Sequence, residues 1–290
     1  MASLKSIFKK EKFLGLRELV KTKKKERKII QNNLIIVFVS VLVLLFFRKY
    51  LTYQYVFEDV SAWSTFYTVF GVLYAVITGF LIIEALSKYN KIQDIIEEEI
   101  NTLQDIRDLI FFLNPDKKIK NKILTELKEY VQSVVNKELK DNGRRGNDKL
   151  NKDSDTTKEM YDIFKQINRI AIEEEKDKIF INMLIQKMMD VTTFRTKRIA
   201  ASAQKLPSSL KLLLKFMSWA LILGIVLLGV HSTSIHIVMI VSLVFSIELL
   251  KSIILDIDNP FKGLWNIKST LFKELESNLE KELQEETLYN

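Results

Sequence analysis

Apolar and polar positions along this chain are organised on two length scales, and the longer one sets the architecture. Four stretches are almost continuously apolar: Leu34–Phe47, Trp63–Leu86, Leu212–Val230 and Ile235–Leu255. A helix needs about 20 such residues to cross a hydrocarbon core of roughly 30 Å. In lipid the backbone must satisfy its own hydrogen bonds, so runs of this length imply helices. The four stretches are predicted as membrane helices, in two pairs around a charged middle. The first is short, yet it is not read as a cleaved leader. A long basic segment precedes it, and Arg48-Lys49-Tyr50 follows where small residues would mark a cleavage site. Arg48 and Lys49 suit snorkelling, and Tyr50, Tyr53, Tyr55 and Phe57 suit an interfacial aromatic belt.

The shorter scale is helical. From Ile92 apolar residues recur at Ile95, Ile96, Ile100, Leu103, Ile106, Leu109 and Ile110, the three-and-four spacing of an amphipathic helix. No breaker intervenes after Leu86, so the second membrane helix is predicted to run on unbroken until Asn114-Pro115-Asp116 ends it. Further helices are predicted at 117–139, 156–174 and 176–205, with a mobile loop at 141–155 and a break at Leu206-Pro207. No strand pattern or internal repeat is visible. The fold class is all-α integral membrane protein, with four transmembrane helices in two pairs and a cytosolic helical bundle between them. The segments are a basic cytosolic N-terminal arm (1–31), membrane helices 1 and 2 (32–86), a cytosolic helical region (87–209), membrane helices 3 and 4 (210–255) and a cytosolic C-terminal tail (256–290).

Charge fixes the expected topology. The formal net charge is +8, and residues 1–31 supply it: eleven Lys/Arg against three Glu. A basic flank beside the first span marks the cytoplasmic side under the positive-inside rule. The loop 48–62 and the turn at His231-Ser232-Thr233-Ser234 then lie outside, with both termini in the cytoplasm of a protein integral to the cell membrane. No basic groove interleaved with aromatics is present, which argues against a nucleic-acid partner. The chain has no cysteine, excluding disulfides and thiolate chemistry. Mean hydropathy is only +0.05, because the polar middle dilutes the spans.

Candidate chemistry is sparse. There is no phosphate loop, dinucleotide fingerprint, His-Glu-x-x-His or nucleophile elbow, so no enzyme is indicated and no cofactor or metal is expected. In the second span Thr68, Gly71, Ala75, Thr78 and Ile82 recur at steps of three and four. Such a face could line a pore, where small side chains leave room and hydroxyls replace part of an ion's hydration; it could equally serve close helix packing. Glu84, Lys215, Glu248 and Lys251 lie inside or at the ends of spans, where ionisable groups are functional or anchor at the interface. Glu248 and Lys251 are spaced to pair on one helix face. The acid runs Glu97-Glu98-Glu99 and Glu173-Glu174-Glu175 read as solvated helix faces. His231 and His236 sit near the outer turn, with nothing to support a pH-sensing role.

One ordered set of short motifs carries more. Gly79-Phe80 lies in the second span, followed by Glu98-Glu99-Ile100-Asn101-Thr102-Leu103, then Tyr130 with Glu138, then Arg195-Thr196-Lys197-Arg198-Ile199 and Leu206-Pro207. Directly after the fourth span comes Leu255-Asp256-Ile257-Asp258-Asn259-Pro260-Phe261-Lys262-Gly263. This order, across about residues 30–275, resembles the bestrophin-like family, domains distantly similar to the bestrophin ion channels. The family-motif residues are Arg195, Arg198, Pro207, Asp258, Asn259, Pro260 and Phe261. The resemblance implies a homo-oligomer, a pentamer, that passes ions through a central pore lined by the second helix and its cytosolic extension. It favours monovalent anions such as chloride, while the acidic stretch Ile92–Asp108 would favour cations. A non-conducting scaffold that binds a partner through residues 87–209 is the alternative of another class. Partners are then membrane lipid, inorganic ions and copies of the chain. The bestrophin calcium clasp is not matched: Asp256 and Asp258 supply two carboxylates, whereas calcium takes six to eight oxygens.

Overall fold

A computed structural model describes residues 2–50, 60–113, 115–139, 155–171, 175–228, 230–261, 264–265, 267 and 269–288. The helices are α1 Ala2–Tyr50, α2 Val60–Leu113, α3 Lys117–Ser133, α4 Asp155–Ile167, α5 Glu175–Ala203, α6 Ser208–Leu227, α7 Thr233–Ile257 and α8 Thr270–Leu288. No strand occurs among the described residues. Helices long and apolar enough to cross a membrane lie within Glu26–Tyr50, Ser61–Leu113, Glu175–Leu227 and Thr233–Ile257. The chain divides into two compact units, residues 1–86 with 206–259, and residues 87–205 with 260–290.

The first unit holds the apolar helices. Asn33, Val37, Ser40 and Leu44 are buried along one row of α1, the steps of four and three that a helix presents to a neighbour. Ser252 of α7 donates to Asn33 Oδ1 at 3.2 Å across that seam. Buried Ile240, Val244, Ile247 and Ile254 of α7 and Leu214, Met217, Leu221 and Ile225 of α6 belong to the same cluster as Val37 and Leu44. The connection from α6 to α7 is pinned by backbone acceptors. His236, fully buried, places Nε2 2.7 Å from the Ile225 carbonyl oxygen. Arg48, at the end of α1, donates to the Val230 carbonyl and to Thr233 Oγ1. Gly224 is needed where it stands: a Cβ there would lie 2.7 and 2.8 Å from ring carbons of Tyr67, whose hydroxyl donates to the Leu221 carbonyl at 3.1 Å.

The second unit is a helical bundle around Ile92, Ile96, Leu103, Ile106, Ile110, Leu124, Leu127, Ile163, Leu184 and Met188. α2 does run unbroken to Leu113. α3 passes into a π-turn, Val134–Glu138, in which the Leu139 amide reaches back to the Val134 carbonyl. The structure adds detail in three places. One helix runs from Ala2 to Tyr50, so the N-terminal arm continues into the first span. α4 stops at Ile167, short of 174, because the turn at Asn168-Arg169 tucks Ile170 into the core. The C-terminal tail contains α8, and Phe272, Leu275 and Leu279 are fully buried in this bundle. The expected loop at 141–155, apart from Asp155, and Tyr53, Tyr55 and Phe57 of the aromatic belt lie outside the described residues.

Candidate functional site

The second span is the candidate conduit, and the rest of the chain covers one side of it. Tyr74, Leu81 and Ala85 are buried, with Tyr67, Phe70 and Ile77 packed beside them. The stripe singled out above runs along the shoulder of this face and divides. Thr68 and Ala75 are exposed, Gly71 and Ile82 half-buried, and Thr78 is 3% exposed. Thr68 Oγ1 donates to the Ser64 carbonyl at 2.8 Å, the backbone bond a helical threonine makes when no other acceptor is near. Thr78 Oγ1 is buried without a hydrogen-bond partner. Open space surrounds Gly71 and Gly79, where an added Cβ would meet nothing within 4 Å. Around them the outward face carries Val69, Val72, Leu73, Val76, Phe80 and Ile83, each more than half exposed. Sequence reasoning fixed on small residues and passed over this apolar neighbourhood.

The other intramembrane candidates separate by depth. Glu84 and Lys215 are exposed. Glu248 is 2% exposed and bonds Lys251, three residues on, so the buried carboxylate has its charge partner on the same helix. At the end of α7, Asp258 is 1% exposed and faces α6: Oδ1 accepts from the Leu206 amide at 2.8 Å, and Oδ2 lies 2.6 Å from Lys211 Nζ. Pro207 starts α6, its carbonyl accepting from the Leu210 and Lys211 amides. Asn259 Nδ2 donates to the Leu255 carbonyl at 3.1 Å. These residues form a helix-end clasp. Among the described residues no three His, Asp or Glu side chains are grouped to hold a metal ion.

The remaining motif residues meet in the second unit. Phe261 packs against its core. Glu99 is not solvated, as the run Glu97-Glu98-Glu99 suggested: Glu97 and Glu98 are exposed, but Glu99 is 0% exposed. Arg198, 1% exposed, donates from Nε to Glu99 Oε2 at 2.6 Å and from Nη2 to Glu138 Oε2 at 2.7 Å. Arg195 donates to Glu138 Oε1 from Nε at 3.0 Å and Nη2 at 2.7 Å. The Tyr130 hydroxyl donates to Glu99 Oε1 at 2.9 Å. Two guanidiniums thus balance two carboxylates, and Glu138 reaches them from the end of the π-turn. Burial pushes the Glu138 carboxyl up, but Arg198 and Arg195 outweigh it and hold it below the ordinary value. Burial, then the Glu99 charge, pushes the Tyr130 hydroxyl well above its ordinary value. Motif segments far apart in sequence are brought together here.

Four apolar helices, two of them closed by a pinned turn, together with the helical bundle, define an integral membrane protein of all-α build. The chain belongs to the bestrophin-like family: the family's Bestrophin-like domain matches residues 34–272. The crystal structure of a bacterial Bestrophin homolog from Klebsiella pneumoniae, solved by Zn-SAD phasing, superposes with a TM-score of 0.66 at 12% identity, covering 90% of this chain and 99% of that one. A mutant of that homolog gives 0.69 at 13% identity, covering 90% and 98%. A mutant described as a membrane protein gives 0.68 at 14%, covering 89% and 99%. At these identities the likeness is one of fold. No curated protein matches the chain.

Proposed function

We propose that this chain is one subunit of a homo-oligomeric ion channel whose central pore is lined by the outward face of the second span. The observation that carries the reading is the asymmetry of α2. Its inner side is closed by its own subunit, while Ala75 is exposed and Gly71 and Gly79 front open space. One subunit of four spanning helices has little room for a conduit of its own, so the pore belongs between subunits. Membership of the bestrophin-like family supports a pentamer and conduction of monovalent anions such as chloride. Conduction along an apolar wall fits gating by dewetting, with weak coordination at Thr68.

A cation channel of the same build is the second reading, and one observation favours it: Asp94, Glu97 and Glu98 are exposed along α2 beyond the span. The test is a reversal potential across planar bilayers in a KCl gradient, with Ala75→Trp as the variant. Ala75 is exposed, so bulk there spares the core, unlike bulk at buried Thr78. Wild-type current reversing near the chloride potential supports the anion reading, and reversal near the potassium potential supports the cation one. Ala75→Trp should lose current while remaining assembled, whereas Leu223→Trp, on the exposed side of α6, should conduct. Assembled wild-type protein without current at any voltage would sink the channel and favour the scaffold.

A further inference from the structure

Just ahead of the first span the segment Lys21-Thr22-Lys23-Lys24-Lys25-Glu26-Arg27-Lys28 holds six bases and one acid in eight residues. The same helix carries it directly into the membrane stretch. Register sorts the described residues of this segment. Extending the buried row of Asn33, Val37, Ser40 and Leu44 back by helical steps reaches Glu26, the acid. A row on the opposite side reads Lys24, Lys28, Gln31, Ile35, Phe38 and Leu42, and every member is exposed, Ile35 and Phe38 by 59% and 64%. Arg27 is exposed as well. The order along that row is base, base, amide, then large apolar side chains. A lipid leaflet presents the complementary order, from phosphate to acyl chain. The axial spacing fits: seven residues from Lys28 to Ile35 are about 10 Å of helix, and a lysine stem can lie along the apolar surface with its ammonium among headgroups. Basic clusters adjoining a spanning helix attract anionic lipid, and the attraction decays within a Debye length of about 8 Å at physiological salt.

We propose that this outer face of α1, with Lys24, Arg27 and Lys28 above Ile35, Phe38 and Leu42, is a binding face for acidic phospholipid. The bases hold the phosphate headgroup and the apolar row receives the chains. The inference does not rest on the channel reading, since a scaffold with the same α1 would present the same face.

The test is lipid selectivity by electron paramagnetic resonance. Full-length protein is placed in phosphatidylcholine bilayers with spin-labelled phosphatidylglycerol or spin-labelled phosphatidylcholine as probe. The expected preference for phosphatidylglycerol is about threefold or more, from bases each contributing up to about fivefold at the surface. It should fall towards one in K24Q/R27Q/K28Q and persist in the charge-preserving K24R/R27K/K28R. The native protein gives a mutation-free control, because about 1 M salt shortens screening to about 3 Å and should abolish the preference. No preference in the native protein, a preference unchanged in the glutamine variant, or one that survives high salt would each overturn the proposal.

Discussion

Glu99 and Arg198 pair 2.6 Å apart where water does not reach, so neither tolerates the loss of the other. Arg198→Met leaves a buried carboxylate short of its main partner and is expected to destabilise the second unit by about 3–5 kcal/mol. Glu99→Leu combined with Arg198→Met should recover much of that loss, and thermal unfolding of the two variants measures the difference. Glu138 sets an acid limit. Its carboxyl is held below the ordinary 4.5, so the unfolded chain takes up protons first; the stability it contributes is complete above that pH and is lost as pH falls further. Unfolding followed from pH 7 downwards should show this loss, and Glu138→Gln should be less stable at pH 7 with a flatter acid limb. In the apolar unit Gly224→Ala drives a methyl into the Tyr67 ring. The expected cost is about 1–3 kcal/mol in thermal stability. The acid run masked the burial of Glu99, although a signal for it was present: Ile92, Ile96, Glu99, Leu103, Ile106 and Ile110 advance by four, three, four, three and four, so Glu99 stands in an apolar row. Its partners were not legible, since Glu138 and Arg198 arrive from other helices and no local spacing relates them.

Among the elements, α8 shows best how periodicity becomes packing. Phe272, Leu275, Leu279 and Leu283 follow steps of three, four and four, and the first three are fully buried. Phe272→Ala is expected to cost about 3–5 kcal/mol and Leu275→Ala about 2–5; denaturant unfolding would reveal the loss, and no change would mean that α8 is not part of the folded bundle in solution. That row was readable beforehand and was hidden by the strongly charged residues around it, which make the segment look like a solvated tail. α4 failed in the opposite direction. Residues 168–174 contain no proline or glycine, so nothing local announces that Ile170 is worth more in the core than in a further helical turn. The far end of α2 at Leu113 was legible because its breaker, Pro115, is unambiguous.

For the whole molecule, apolar run lengths foretold the four spans, since hydrocarbon thickness leaves so little choice. The outward side of α2 was less legible. Small residues favour packing and conduction alike, and only burial distinguishes Thr78 from Ala75. Ion preference is the property to test at this scale: Asp94→Asn, Glu97→Gln and Glu98→Gln together should shift the reversal potential of the proposed channel towards that of chloride, and an unmoved potential would remove these carboxylates from the proposed permeation path. The buried charge network has a further consequence for how such a sequence can drift. A single charge-removing replacement at 99, 138, 195 or 198 leaves its partner's charge uncompensated, so each such change lies in a fitness valley that a paired change crosses. These four positions are therefore expected to behave as one heritable unit, staying fixed together or changing together.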